Sequence, residues 1–143
     1  TGTDTHIGKT EITCALIELF KKKGYLTIGM KPVAAGTELI SNQILNRDVH
    51  KFLSINSIRK PLEIINPYSF DQAIAPHIAS ISRSNEILFS KIKENFLLLQ
   101  KECDYLFVEG AGGYKVPLTN NKAIPDLIKY ASAFLAVPLG SLS

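Results

Sequence analysis

Apolar residues recur at three- and four-residue spacing from Thr10 to Lys23, at Ile12, Ala15, Leu16, Leu19 and Phe20, which predicts a helix with one face laid on a sheet. Gly24 ends it. Tyr25 to Met30 is short, mostly apolar and β-rich, and predicts a strand that Pro32 and Gly36 break within Lys31-Pro32-Val33-Ala34-Ala35-Gly36. A weaker helical pattern covers Glu38 to Leu53 and holds Asp48, and Ser54 to Pro61 reads as loop. Leu62 to Ile65 is a brief apolar run ahead of Asn66-Pro67-Tyr68. Asp71 to Ser80 then predicts a short helix containing Pro76-His77. A longer helix is expected from Asn85 to Lys101, with Ile87, Leu88, Ile92, Phe96 and Leu99 on one stripe. Asp104 to Val108 predicts a buried parallel strand that runs into Glu109-Gly110-Ala111-Gly112-Gly113. A helix at Pro125 to Tyr130 and a strand at Phe134 to Val137 complete the pattern.

Helices alternating with short apolar strands indicate an α/β domain, and 143 residues suit one core rather than two. Composition changes this little. Apolar residues make up 45% and charged residues 20%, and no apolar run approaches the length of a membrane span, so no membrane partner is expected. A net charge of +3 is too small to imply a nucleic-acid surface; Lys21-Lys22-Lys23 closes a predicted helix, where cations suit the dipole. The two cysteines, Cys14 and Cys103, have neither C-x-x-C spacing nor a secretory signal ahead of them, and are expected to be buried free thiols in a reducing cytoplasm.

Chemistry enters with Gly2-Thr3-Asp4-Thr5-His6-Ile7-Gly8-Lys9-Thr10. This is nearly G-x-x-x-x-G-K-[ST], with the first glycine one residue early. Backbone N–H groups around Gly8 can converge on a phosphate at a helix N-terminus, Lys9 can reach the outer phosphates, and the Thr10 hydroxyl can coordinate Mg²⁺. The bland alternative is a Gly-Thr-rich surface turn. Lys31 stands at a strand's carboxyl edge, where open α/β sheets bind ligands, or is a surface lysine before a turn. Glu109 ends a strand ahead of three glycines in four residues, the placing of an acid that faces Mg²⁺, or is a solvated carboxylate in a turn.

In chain order, the phosphate loop, Lys31-Pro32-Val33-Ala34-x-Gly36, Asn66-Pro67-Tyr68, Ala75-Pro76-His77 and Val108-Glu109-Gly110-Ala111-Gly112-Gly113 together resemble the dethiobiotin synthetases of biotin biosynthesis. The resemblance spans nearly the whole chain. It implies a three-layer phosphate-loop NTPase-like fold, a mostly parallel sheet flanked by helices. It also implies an ATP- and Mg²⁺-dependent ring closure in a cytoplasmic homodimer, turning 7,8-diaminononanoate and CO₂ into dethiobiotin, ADP and phosphate. In that chemistry a substrate amine is carbamylated, the carbamate attacks the γ-phosphate, and the second amine closes the cyclic urea. Carried over by position, His6, Ile7, Gly8, Lys9, Thr10 and Glu11 would cradle the phosphates, with Asp48, Glu109, Gly110, Ala111 and Gly112 also at the nucleotide. Thr10, Asp48 and Glu109 would surround Mg²⁺; Lys9 and Lys31 would be catalytic, Lys31 holding the carbamate and the incoming phosphoryl oxygens. Asp48 reads equally as a solvated helix acid.

The chain departs from the family pattern at Ala35, where a serine commonly touches substrate; the lost hydrogen bond is worth about 1 kcal/mol. His6 is expected to face solvent and His77 to cap or pack a helix. Family members extend further at both ends, so the expectation is one domain over residues 1–143 lacking its first strand and its C-terminal portion. Leu139-Gly140-Ser141-Leu142 resembles the start of a turn that binds substrate carboxylate across a dimer interface. Two other readings stay open: another phosphate-loop amide-forming or partitioning ATPase, with no role for Lys31, and an inactive remnant keeping only phosphate binding or a dimer surface.

Overall fold

The computed structural model describes residues 8–72, 86–112, 116–119 and 121–132. Within them lie α1 (Lys9–Lys22), β1 (Thr27–Met30), β2 (Val33–Ala35), β3 (Glu38–Ile40), β4 (Gln43–Leu45), α2 (Arg47–Ile55), α3 (Leu62–Ile65), β5 (Tyr68–Phe70), α4 (Phe89–Gln100), β6 (Tyr105–Val108) and α5 (Ile124–Ser132). β1 pairs in parallel with β6 and β2 in parallel with β5, while β3 and β4 form an antiparallel hairpin. The architecture is α/β, with helices on both faces of the parallel strands.

β1 shows why. Side chains alternate across a strand, and Ile28 and Met30 join Ile92, Phe96 and Leu99 of α4 and Leu127 of α5 in one apolar cluster. On the opposite face Gly29 leaves room for two helices: a Cβ there would stand 2.8 Å from Ile17 Cδ1 of α1 and 2.9 Å from Phe52 Cγ of α2. Among the described residues, the outer edge of β1, away from β6, is closed without a strand. Ser57 Oγ accepts from Thr27 N at 3.0 Å, and Ser57 N donates to Thr27 O at 2.9 Å. Asn56 then imitates a peptide group: its Oδ1 accepts from Gly29 N at 2.6 Å and its Nδ2 donates to Gly29 O at 3.2 Å. Unpaired strand edges are costly when covered, and these side chains satisfy this one.

Several expectations need correction. The pattern over Glu38 to Leu53 is not one helix; it opens with the β3–β4 hairpin, turned by Ser41 and Asn42, both at positive φ (50° and 65°). A two-residue turn with left-handed backbone matches strand twist, and the Ser-Asn pair was its signal. The break after Met30 is brief, because the chain re-enters the strand as β2, and β5 follows Pro67 where only a motif was read. Leu62 to Ile65 is a helical turn entered from Pro61.

The helix from residue 9 forms, but only part of its predicted apolar stripe packs: Phe20 sets its ring centroid 4.4 Å from that of Tyr105 and 5.7 Å from that of Phe107 on β6. Ile12, Leu16 and Leu19 are 62%, 39% and 47% exposed, whereas Ile17 is fully buried. The contacting face also runs through Thr10, Cys14, Ile17 and Lys21, with Ile17 against Gly29 and Lys21 Nζ donating to Ile55 O of α2 at 2.6 Å. β6 is parallel as expected but not buried, with Tyr105 and Val108 substantially exposed. α4 buries Ile92, Phe96 and Leu99 as its stripe predicts, while Leu88, just before it, is exposed. The helix expected over Asp71 to Ser80 and the strand over Phe134 to Val137 fall mostly or wholly outside the described residues.

Candidate active site

Lys31 and Glu109 meet because of strand register. Met30 lies opposite Val108, and Glu109 N donates to Met30 O at 2.9 Å, so the next residue of each strand points to the same face, the face of α1 and α2. Lys31 Nζ is 2.7 Å from Glu109 Oε1 and 2.8 Å from Asp48 Oδ2. Thr10, in the first turn of α1, donates through Oγ1 to the same Glu109 Oε1 at 2.8 Å. Four side chains from α1, the end of β1, α2 and the end of β6 thus converge.

Asp48 is delivered by a cap that the sequence reading passed over. Asn46 is the N-cap of α2: its Oδ1 accepts from Asp48 N and Val49 N, while its Nδ2 donates to Ala35 O and Gly36 O. One side chain therefore starts the helix and ties it to the end of β2. An asparagine ahead of an amphipathic run was the available signal. Asp48 in the first turn also gains from the helix dipole.

The electrostatics are those of a largely buried, crowded charge cluster. The side chains of Lys31 and Glu109 are 6% and 3% exposed, that of Asp48 32%. Burial pushes the Asp48 carboxyl up, but the Lys31 ammonium and the nearby Thr10 hydroxyl outweigh it and hold it below its ordinary value. That hydroxyl has one proton, and its short contact gives it to Glu109. Among the described residues, Glu109 Oε2 is buried with no hydrogen-bond partner. A buried carboxylate oxygen left unpaired is costly, and a cation or a donor is what it lacks.

Among the described residues no group of three or more His, Cys, Asp and Glu side chains is arranged to hold a metal ion. Two carboxylates and a hydroxyl instead fit a cation such as Mg²⁺ that keeps waters and takes phosphate oxygens. Gly8 sits in the left-handed region (φ 81°) as the N-cap of α1, with no side-chain cap on the first turn's N–H groups. Lys9 and Glu11 follow in that turn, and Glu11 pairs with Lys51 outside the charge cluster. Ala35 ends β2; Gly110, Ala111 and Gly112 continue from Glu109, Gly112 at φ 61° with Val116 Cγ2 only 2.9 Å from where its Cβ would be. His6 and Ile7 lie outside the described residues, as does His77.

A family profile described as the AAA domain matches residues 1–133. The chain belongs to this family. Within the AAA domain family it is similar to the ATP-dependent dethiobiotin synthetases BioD of three bacteria. It is 40% identical to that of Aromatoleum aromaticum over 128 residues (90% of this chain, 57% of that protein) and 42% identical to that of Wigglesworthia glossinidia brevipalpis over 131 residues (90% and 57%). With that of Nitrosospira multiformis the identity is 43% over 129 residues (90% and 55%). These relatives bear out the likeness drawn from the motifs. The chain spans a little over half the length of the curated relatives it matches. Among the described residues, no helix of this AAA domain is long and apolar enough to cross a membrane.

Proposed function

We propose that this AAA domain belongs to an ATP-dependent dethiobiotin synthetase, a ligase that joins 7,8-diaminononanoate and CO₂ into the cyclic urea of dethiobiotin while ATP goes to ADP and phosphate. The observation that carries the proposal is the meeting of Lys31 with Thr10, Asp48 and Glu109, which joins the phosphate-loop helix to the lysine and glutamate loops at one point. Relatives named ATP-dependent dethiobiotin synthetase support it. The assembly we propose is a cytoplasmic homodimer.

The exposed N–H groups of the first turn of α1, after Gly8, receive the ATP phosphates, with His6 to Glu11 and Gly110 to Gly112 around the nucleotide. Lys9 offsets charge on the transferred phosphoryl group. Lys31 orients the carbamate oxygens toward that group, so its part is positioning and charge neutralisation, the terms that dominate phosphoryl transfer. Thr10, Asp48 and Glu109 would hold Mg²⁺, with the orphaned Glu109 Oε2 as an available ligand. When bound, the ion neutralises phosphate charge and orients the outer phosphates. Beside Ala35, a backbone group or water must bind what a serine hydroxyl binds elsewhere in the family.

The test is dethiobiotin formation by the full chain from 7,8-diaminononanoate, bicarbonate and Mg-ATP. Lys9→Ala should abolish it. Lys31→Gln, which keeps a donor but removes the charge, should lower kcat on the order of 100-fold while Mg-ATP still binds. Full turnover by Lys31→Gln at saturating substrate would sink the proposal, and would favour an ATPase in which Lys31 has no role.

A further inference from the structure

Asn66-Pro67-Tyr68 is a motif that the proposed chemistry leaves without a task, and its first residue is buried, 5% exposed. Asn66 Nδ2 donates to Lys31 O at 2.6 Å and to Tyr68 O at 3.0 Å. Lys31 N in turn donates to Ile65 O at 3.0 Å. Both backbone polar groups of Lys31 are therefore held by two successive residues, the last of α3 and its C-cap. This is the third step of the ladder along the outer edge of β1, in which Ser57 serves Thr27, Asn56 serves Gly29, and Ile65 with Asn66 serves Lys31.

The place of this third step matters. Lys31 lies between the end of β1 and the start of β2, so strand pairing on this edge does not fix its carbonyl, and Pro32 follows with no N–H to help. Only from Pro32 O onward does β5 take over, through Tyr68 N at 3.2 Å. A peptide held at one end can rotate, and rotation of the Lys31 peptide would swing its Cβ and carry Nζ away from Glu109 and Asp48. One amide that spans Lys31 O and Tyr68 O locks the break at the register that aims the ammonium.

We infer that Asn66 is a positioning residue for Lys31: it fixes the backbone from which Lys31 reaches the two carboxylates, and it touches neither substrate nor nucleotide. The kinetic consequence rests on the proposed function; the geometric one does not. The variants are Asn66→Asp, which keeps the shape but turns an oxygen toward the two carbonyls, and Asn66→Ser, which keeps one short donor. Tyr68→Phe serves as the control, since it removes a buried hydroxyl that accepts from Leu88 N and leaves Lys31 alone.

In the full chain, Asn66→Asp should lose on the order of 100-fold in kcat for dethiobiotin formation, with KM for ATP changed by less than about threefold. Asn66→Ser should recover part of the loss, and Tyr68→Phe should lower thermal stability with kcat unchanged. Crystal structures of the Asn66 variants should show Lys31 Nζ withdrawn beyond hydrogen-bonding distance of Glu109. A folded Asn66→Asp protein with Lys31 in place and wild-type kcat overturns the inference. So does failure of both Asn66 variants to fold while Tyr68→Phe folds, because Asn66 would then be structural only. Should the wild-type chain form no dethiobiotin, the functional proposal fails, and the position of Nζ in the variant crystals still decides the role of Asn66.

Discussion

A methyl group at Gly29 would press on Ile17 and Phe52 at once, at separations real Cβ atoms essentially never show. Both neighbours are fully buried core side chains, so neither can swing aside freely. Gly29→Ala should destabilise by about 1–3 kcal/mol, the usual cost of overpacking, seen as a lower urea midpoint with unchanged slope. Asp48 makes a prediction of a different kind. Its carboxyl stays charged in the fold at pH values where the unfolded chain takes up a proton. Its contribution to stability is therefore complete above the unfolded pKa of about 3.9 and disappears as pH falls through the lower folded value. Asp48→Asn should flatten the decline of unfolding free energy below about pH 4, measured by denaturant titration across the acid limb. Cys14 and Cys103 were expected to be buried free thiols; both are free but only half-buried, and for Cys103 that burial, with Asp104 and Glu102 adding to it, still pushes its pKa up to about 11.

At the scale of elements, what the sequence understated is capping and edge closure by asparagine. Asn46 starts α2, Asn56 covers Gly29, and Asn66 holds Lys31, and none of the three stands out in a hydrophobic pattern. Asn46→Ala should cost about 1–2 kcal/mol, since it removes a helix cap and the tie to Ala35 and Gly36 together. Thermal unfolding of the variant checks this, with Asn46→Asp expected to restore the cap but not the tie. Helix α4 was legible because its stripe of Ile92, Phe96 and Leu99 is its buried face. Helix α1 was legible in extent but only partly in its face: Phe20 of its stripe packs on β6, while close approach to Gly29 selects Ile17 over Ile12, Leu16 and Leu19. The β3–β4 hairpin was missed because a weak helical period outweighed the turn chemistry of Ser41 and Asn42.

At the scale of the molecule, one ammonium ties the end of β1 to α2 and β6, and the Glu109 carboxylate ties that group to α1 through Thr10. Removing it leaves Glu109 buried without its cation, a loss of about 3–5 kcal/mol where a buried pair is broken from one side. Lys31→Met should therefore unfold at markedly lower denaturant, and adding Glu109→Gln should recover part of that loss, because the deeply buried charge is then gone and only the part-exposed Asp48 is left without its ammonium. A double variant no more stable than Lys31→Met would mean that the cluster is held by something other than this pair. The chain by itself determined the alternation of helices and strands, the Gly8-Lys9-Thr10 turn at a helix start, and a lysine and a glutamate each ending a strand. Local spacing and residue type carry those. Only the tertiary structure decided that Lys31, Asp48, Glu109 and Thr10 meet, since their separations of 17, 78 and 99 residues are closed by strand register and by helix approach over a glycine. Register and approach are long-range packing outcomes, and no periodicity within a segment encodes them.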